Sequence, residues 1–231
     1  METSTAGPYA GFVDDASPVG ASPLQRSPFV GARAVTDTAL PDVPADAGPL
    51  RVVLTGGAGQ VPGPVALCAR RGLDLRSLEV ALRDLDDPAT NARRVVAAVD
   101  AVRSDTGLLT TDGEDVVVHV AVAGPPGAGW LVAADEVAAA ELALALPTDA
   151  PWLEAWVDAA LDRELTFVLT GGSTSQAVDA LGTTARLWDA APLPEETVAR
   201  DEALSRARRW CRSWSTTAPA AALAHLAGLR G

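Results

Sequence analysis

The chain predicts an α/β fold: a mostly parallel sheet with flanking helices, an incomplete or degenerate TIM-barrel-like arrangement ahead of a Rossmann-like one. Three observations carry this. Short apolar runs starting at residues 52, 78, 116, 141 and 165 alternate with helical patterns and lie 24–38 residues apart, the spacing that βα units require. The runs are apolar almost throughout instead of alternating, as strands buried on both faces are. VVLTGG at 52–57 is echoed by FVLTGG at 167–172, and LEVAL at 78–82 by ELALAL at 141–146, which matches Glu79 with Glu141. Five or six strands are visible in this way, not the eight of a complete barrel.

Residues 1–27 are rich in Gly, Pro, Ser and Ala and bury too little to order themselves, so they read as a flexible N-terminal arm that Tyr9 and Phe12 could pin to the body. Residues 28–192 form the α/β domain. A first strand falls within 28–36, and the prolines at 41, 44 and 49 mark a connector. Val52–Thr55 runs into Gly56-Gly57-Ala58-Gly59 and a short helix over Val65–Arg71. Leu78–Leu82 is the next strand. Asp86 or Asp87 then caps a helix with Pro88 at its start and Val95, Val96, Val99 and Val102 on its apolar face. A polar loop over 104–115 turns at Asp112-Gly113 and leads to the strand Val116–Val122. A helix over Trp130–Ala139 precedes a strand at Glu141–Leu146. Asp149 and Pro151 open a helix whose stripe is Trp152, Leu153, Trp156, Val157, Ala160 and Leu161. Leu165–Thr170 is the last strand visible, and Ser173-Thr174-Ser175 open a helix. From there the pattern is helical. Residues 193–231 read as C-terminal helices packed on the same domain, with 194–214 acidic at its start and carrying Arg206, Arg208, Arg209 and Arg212 at its end, as the helix dipole favours. Those arginines could grip an anionic partner, or could be a solvated helix end.

At 231 residues one core can serve the chain. The net charge of −12 and pI of 4.5 argue against nucleic acid and against anionic membrane surfaces, which are met by basic stripes. No apolar run reaches 18 residues and no signal peptide is evident, so no membrane span is expected. Cys68 and Cys211 have no CxxC spacing and suggest no disulfide framework, which fits a cytoplasmic chain. All 18 basic residues are arginine, as a GC-rich bacterial genome tends to produce. Without lysine, Schiff-base, P-loop and Tyr-x-x-x-Lys chemistries are excluded.

Two glycine turns are candidate ligand sites. Thr170, Gly171, Gly172, Ser173 and Thr174 join a buried strand to a helix N-terminus, where backbone N–H groups and the helix dipole suit a phosphate or carboxylate; the plainer reading is a turn with a serine cap. Thr55, Gly56 and Gly57 open a TGxxGxxG-like dinucleotide fingerprint, but Pro62 stands at its third glycine position. Glu79 and Glu141, inside apolar strands, could perform acid–base chemistry or be paired with arginine. His119, mid-strand, could be a general base or a hydrogen-bonded core residue. Asp84, Asp86 and Asp87 read as helix-capping residues before they read as magnesium ligands. Two isolated histidines and no paired cysteines suggest no metal centre, and no cofactor is indicated.

The glutamate-bearing strand ahead of a helix, the later strand ending in Thr-Gly-Gly, and Tyr9-Ala10-Gly11-Phe12 resemble an uncharacterised group of bacterial (βα)-barrel-like proteins. The resemblance implies a barrel and no particular activity; members carry a further strand after the Thr-Gly-Gly turn, where this chain reads as helical. Two functions from different classes therefore stand: an intracellular protein that binds or converts a small anionic metabolite in a lyase- or isomerase-type step, with Glu79, Glu141 or His119 moving protons; or a non-catalytic barrel acting through a protein partner or self-association along 194–229. Dinucleotide binding through 55–63 is a third possibility.

Overall fold

The computed structural model describes residues 6–21, 27–83, 85–106, 109–111 and 114–229. Eight parallel strands close into a barrel. They are β1 (Val13–Asp15), β2 (Val30–Thr36), β3 (Leu50–Leu54), β4 (Leu75–Ala81), β5 (Val117–Ala121), β6 (Ala143–Pro147), β7 (Phe167–Thr170) and β8 (Cys211–Thr216). Each strand pairs with its neighbours in chain order, and β1 pairs with β8 to complete the ring. The helices are α1 (Pro62–Arg71), α2 (Pro88–Thr106), α3 (Ala128–Ala139), α4 (Leu153–Leu161), α5 (Thr174–Asp189), α6 (Thr197–Ala207) and α7 (Pro219–Gly228). A two-stranded hairpin, Thr110–Thr111 with Glu114–Asp115, sits between α2 and β5; its turn, at 112–113, lies outside the described residues. No helix among the described residues is long and apolar enough to cross a membrane.

Successive side chains on a strand point to opposite faces, and here the two faces differ in kind. Leu50, Val52 and Leu54 of β3, Leu78 and Val80 of β4, Val118 and Val120 of β5, Leu144 and Leu146 of β6, and Phe167 and Leu169 of β7 join one aliphatic core with the helices. The alternate positions point into the barrel and are mostly small: Ala34, Ser77, Ala121, Ala143, Ala145, Val168 and Ser213. The hydrophobic layer is thus outside the barrel wall, under the helices, while the lumen is narrow-sided and polar.

The barrel is complete, and the two strands that sequence reading missed explain why it looked shortened. Val13–Asp15 lies in the segment expected to be a flexible arm, yet all three of its residues are buried. Tyr9 and Phe12 are buried as well, so this part of the arm is built into the wall; 1–5 and 22–26 lie outside the described residues. Residues 194–214 are not one helix. The helix stops at Ala207, and Cys211–Thr216 is the eighth strand. In its sequence, CRSWST, Cys211 and Trp214 face the core although they are three residues apart, because the pairing with β7 is irregular between them, and Ser213 turns inward. With no period of two in it, the segment read as the end of a helix. Three strands separate β3 from β7 either way round the ring, so the repeat seen in the sequence relates opposite walls, as two half-barrels would.

Trp214 ties the closing strand to its neighbour: its indole N–H donates to the carbonyl of Gly171 at 2.6 Å. Trp214→Phe keeps most of the packing and leaves that carbonyl without its donor. The expected loss is about 1–2 kcal/mol, read as a lower urea midpoint with an unchanged denaturant slope.

Candidate functional site

Arg51 organises the lumen. It sits between Leu50 and Val52, which face the helices, so the alternation of β3 turns its guanidinium inward. Nη2 donates to Glu79 Oε2 at 2.5 Å on the adjacent β4, and Nη1 donates to Asp14 Oδ2 at 3.2 Å on β1, across β2. Ser213 Oγ donates to the same Asp14 oxygen at 2.6 Å from the other side. The Arg51 side chain is 1% exposed and that of Glu79 13%. Burial raises the Asp14 carboxyl above its ordinary range, with Arg51 and Ser213 pulling against it.

His119 completes the cluster. It faces Glu79 in register on β5, and its Nδ1 lies 3.3 Å from the Leu78 carbonyl. A carbonyl only accepts, so Nδ1 carries the proton and Nε2 keeps its lone pair. Burial, reinforced by the Arg51 charge, pushes the imidazole down to about 3, so it is neutral near pH 7. Glu79 and His119 are therefore brought together, and both keep company with an arginine and an aspartate that sequence reading did not single out. The signal for Arg51 was present, a charge at an inward position of an apolar strand. Asp14 was hidden by the low-complexity composition around it.

A cavity of about 310 Å³ enters the lumen from the N-terminal ends of the strands, lined by Asp14, Ser77, Val117, His119, Thr166 and Arg212 among others. Glu79, two residues beyond Ser77 on the same face of β4, lies on the C-terminal side of it. Glu141 belongs to neither. It is exposed, has a positive φ of 55° in the turn after α3, and precedes β6, which starts at Ala143. The expectation that Glu141 lies inside a strand as the counterpart of Glu79 is corrected: Ala and Leu at 142–146 satisfy helix and strand alike, and the turn falls where the helix ends.

The two glycine turns stand at the C-terminal rim, on opposite walls. After β7, Gly171 and Gly172 both have positive φ, 66° and 68°, and a Cβ on Gly172 would lie 2.9 Å from Thr148. Ser173 caps α5 in a reciprocal box with Gln176, whose side chain takes the Ser173 N–H at 2.8 Å. That is the structural reading of this turn, and it uses the Ser173 donor. The N–H groups of Gly172, Thr174 and Ser175 have no acceptor among the described residues. Thr170 Oγ1 donates to the Leu146 carbonyl at 3.5 Å. After β3, Thr55 donates through both N–H and Oγ1 to Asp37, at 3.2 and 2.9 Å. Gln60 folds over Gly56, within 2.1 Å of where a Cβ would be, and Arg83 closes on Gly57. The backbone there is covered by its own side chains, and a closed barrel lacks the switch-point crevice at which dinucleotides lie. Asp87 accepts from the Thr90 N–H at 3.0 Å as a helix cap, and Asp84 lies outside the described residues. Among the described residues no group of three His, Cys, Asp or Glu side chains is placed to hold a metal ion.

Two outcomes test the cluster. Arg51→Met leaves Asp14 and Glu79 as buried carboxylates without a counter-charge and should cost about 3–5 kcal/mol. Adding Asp14→Asn and Glu79→Gln should recover much of that in chemical denaturation. The folded His119 pKa lies below its ordinary 6.5, so its contribution is present above 6.5 and is lost as pH falls toward about 3. Wild type should lose about 1.4 kcal/mol per pH unit from this proton below pH 6.5. His119→Asn, which keeps a donor for the Leu78 carbonyl, should lack that slope when the two are compared by urea unfolding.

No protein-family model matches the chain, and comparison with curated proteins and with solved structures also gives no match.

Proposed function

We propose that the protein binds a small anionic metabolite at the C-terminal end of its barrel and moves a proton on it through Glu79, in a lyase- or isomerase-type step. One observation carries this reading: Arg51, Asp14, Glu79 and His119 form a buried polar cluster inside a barrel whose other inward residues are mostly small. A lumen that served stability alone would be filled by layers of branched aliphatic side chains. Burying an ion pair in their place is neutral at best for stability. Glu79 Oε2 is held by Arg51, while the other oxygen has no hydrogen bond among the described residues and is available to take a proton. His119, neutral with Nε2 free, would accept a hydrogen bond from the substrate. The free N–H groups of Gly172, Thr174 and Ser175, at the positive end of the sixteen-residue α5, support an anion-binding role for the rim turn after β7. Cys68 and Cys211 are free and buried, which fits a reducing cytoplasm.

A groove of about 550 Å³ between α5 and α6, lined by Val178, Leu193, Leu204 and Leu229 among others, favours a second reading in which 194–229 docks a partner. It fits the partial exposure of Trp188 and the exposure of Val198 nearby. The convergence of polar groups in the lumen favours the first.

A thermal-shift screen against small carboxylates and phosphorylated sugars decides between them. A ligand at about 100 times its Kd adds roughly 2.7 kcal/mol and moves the midpoint by several degrees. A shift that Glu79→Gln and Gly172→Val each remove, with proton exchange or turnover lost in Glu79→Gln, is the expected result. A hit that survives both substitutions, or no shift at all from well-folded protein, overturns the metabolite reading in favour of the groove.

A further inference from the structure

The opposite end of the barrel holds a second concavity, of about 490 Å³, between the segment before β1 and the loop from α6 into β8. Three arginines line it, Arg208, Arg209 and Arg212, together with Ser205 and the backbone around Pro8. Elsewhere Arg51, Arg76, Arg93, Arg103, Arg163, Arg186 and Arg206 have acidic partners within 4 Å, while Arg33, Arg71 and Arg200 donate to backbone carbonyls. None of the three lining arginines has one among the described residues, although the chain carries 30 acidic residues.

Each guanidinium is held or free in a different way. Arg208 is a strap: it donates to the carbonyls of Ala10, Gly11, Cys211 and Arg212 and lies 4.9 Å from the Phe12 ring centroid, so its position is set by the barrel closure. Arg209 is exposed but not loose. It stacks on Trp188 and Trp210, with its guanidinium carbon 5.0 and 4.7 Å from their ring centroids. Stacking fixes the plane of the fork and leaves its N–H edge available for a planar or tetrahedral oxyanion. The Arg212 guanidinium makes no hydrogen bond among the described residues and borders both this concavity and the lumen cavity that reaches His119. Three like charges converge here with no carboxylate of the described residues in ion-pair contact, and an anion among them would relieve their repulsion.

We propose that this pocket is a binding site for a phosphate-bearing small molecule, with Arg209 and Arg212 as its ligands, Arg208 as fixed positive charge and Ser205 as an additional hydroxyl donor. It is independent of the reading given above for the C-terminal end, because it stands at the other end of the barrel and uses none of the same residues. A molecule bound there would cover the N-terminal mouth of the lumen beside Arg212.

Isothermal titration of the full chain with inorganic pyrophosphate tests it, at an ionic strength held constant with sodium chloride. Expected is saturable one-to-one binding, weakened roughly tenfold by Arg212→Gln and by Arg209→Gln, the loss of one charge-assisted contact in each case. It should be lost in the double variant and unchanged in Glu79→Gln. Arg212→Gln removes a side chain that bonds to nothing in the fold, so that variant decides the matter even where loss of the Arg209 stacking lowers stability. Absence of saturable binding in the wild type, or binding that Arg212→Gln leaves intact, overturns the proposal. Binding lost in Glu79→Gln and kept in the arginine variants would place the anion at the other end and overturn it as well.

Discussion

The barrel closes through a strand of three residues, and the contact that holds that strand is the ion pair of Arg51 with Asp14. β1 has room for few ladder hydrogen bonds on either side. Its middle residue compensates by receiving Arg51 from β3 and Ser213 from β8, so one carboxylate links three strands through the lumen. Arg51 then continues to Glu79 on β4. The arrangement is costly in desolvation, and it only holds while every partner is present. That dependence makes the charged cluster the keystone of closure.

Small inward residues follow from the same constraint. An arginine laid across the lumen fills space that Val, Ile or Leu would fill in a barrel packed in layers. The inward positions around it are mostly Ala and Ser, with Val117 and Val168 among them, and the apolar volume is displaced to the outer face, where Phe167 and Trp214 of the strands meet Trp156 and its neighbours on the helices. The lumen is left with a buried polar middle, a cavity on its N-terminal side and Glu79 toward the C-terminal side. Function in such folds gathers at the C-terminal rim, but here a cavity also reaches the polar middle from the N-terminal ends of the strands.

Charge is distributed unevenly over this framework. The chain is strongly acidic, and Arg76, Arg93, Arg103, Arg163, Arg186 and Arg206 sit in ion pairs that contribute little individually. The group at the start of β8 departs from this pattern. Arg208 is committed to carbonyls and Arg209 to indole rings, which position them without neutralising them. A protein that repels anions on average thus holds a local positive site where backbone and aromatic groups, not carboxylates, supply the order.

Much of this was legible in the residues themselves. The spacing of the apolar runs determined a parallel α/β sheet, and the runs at 52, 78, 116 and 165 all proved to be strands, because a strand buried on both faces must be apolar at every position. The Ser173 cap and the mid-strand places of Glu79 and His119 were equally local matters, readable from short-range pattern. The tertiary structure alone decided closure. VDD at 13–15 and CRSWST at 211–216 have no strong intrinsic preference for strand, and each becomes one by pairing with the other, 199 residues apart between Asp14 and Ser213. It also decided which charges meet. Arg51, Asp14 and Glu79 lie 28 and 37 residues apart along the chain, and no local pattern links them; the ring brings them within one guanidinium's reach. Glu141 shows the converse: a likeness between two short segments suggested equivalence with Glu79, but a shift of two residues in where β6 begins placed it in a turn. Local sequence specifies which elements form, because their hydrogen bonds and apolar faces are local; which side chains share a site depends on register and closure, which are properties of the whole ring.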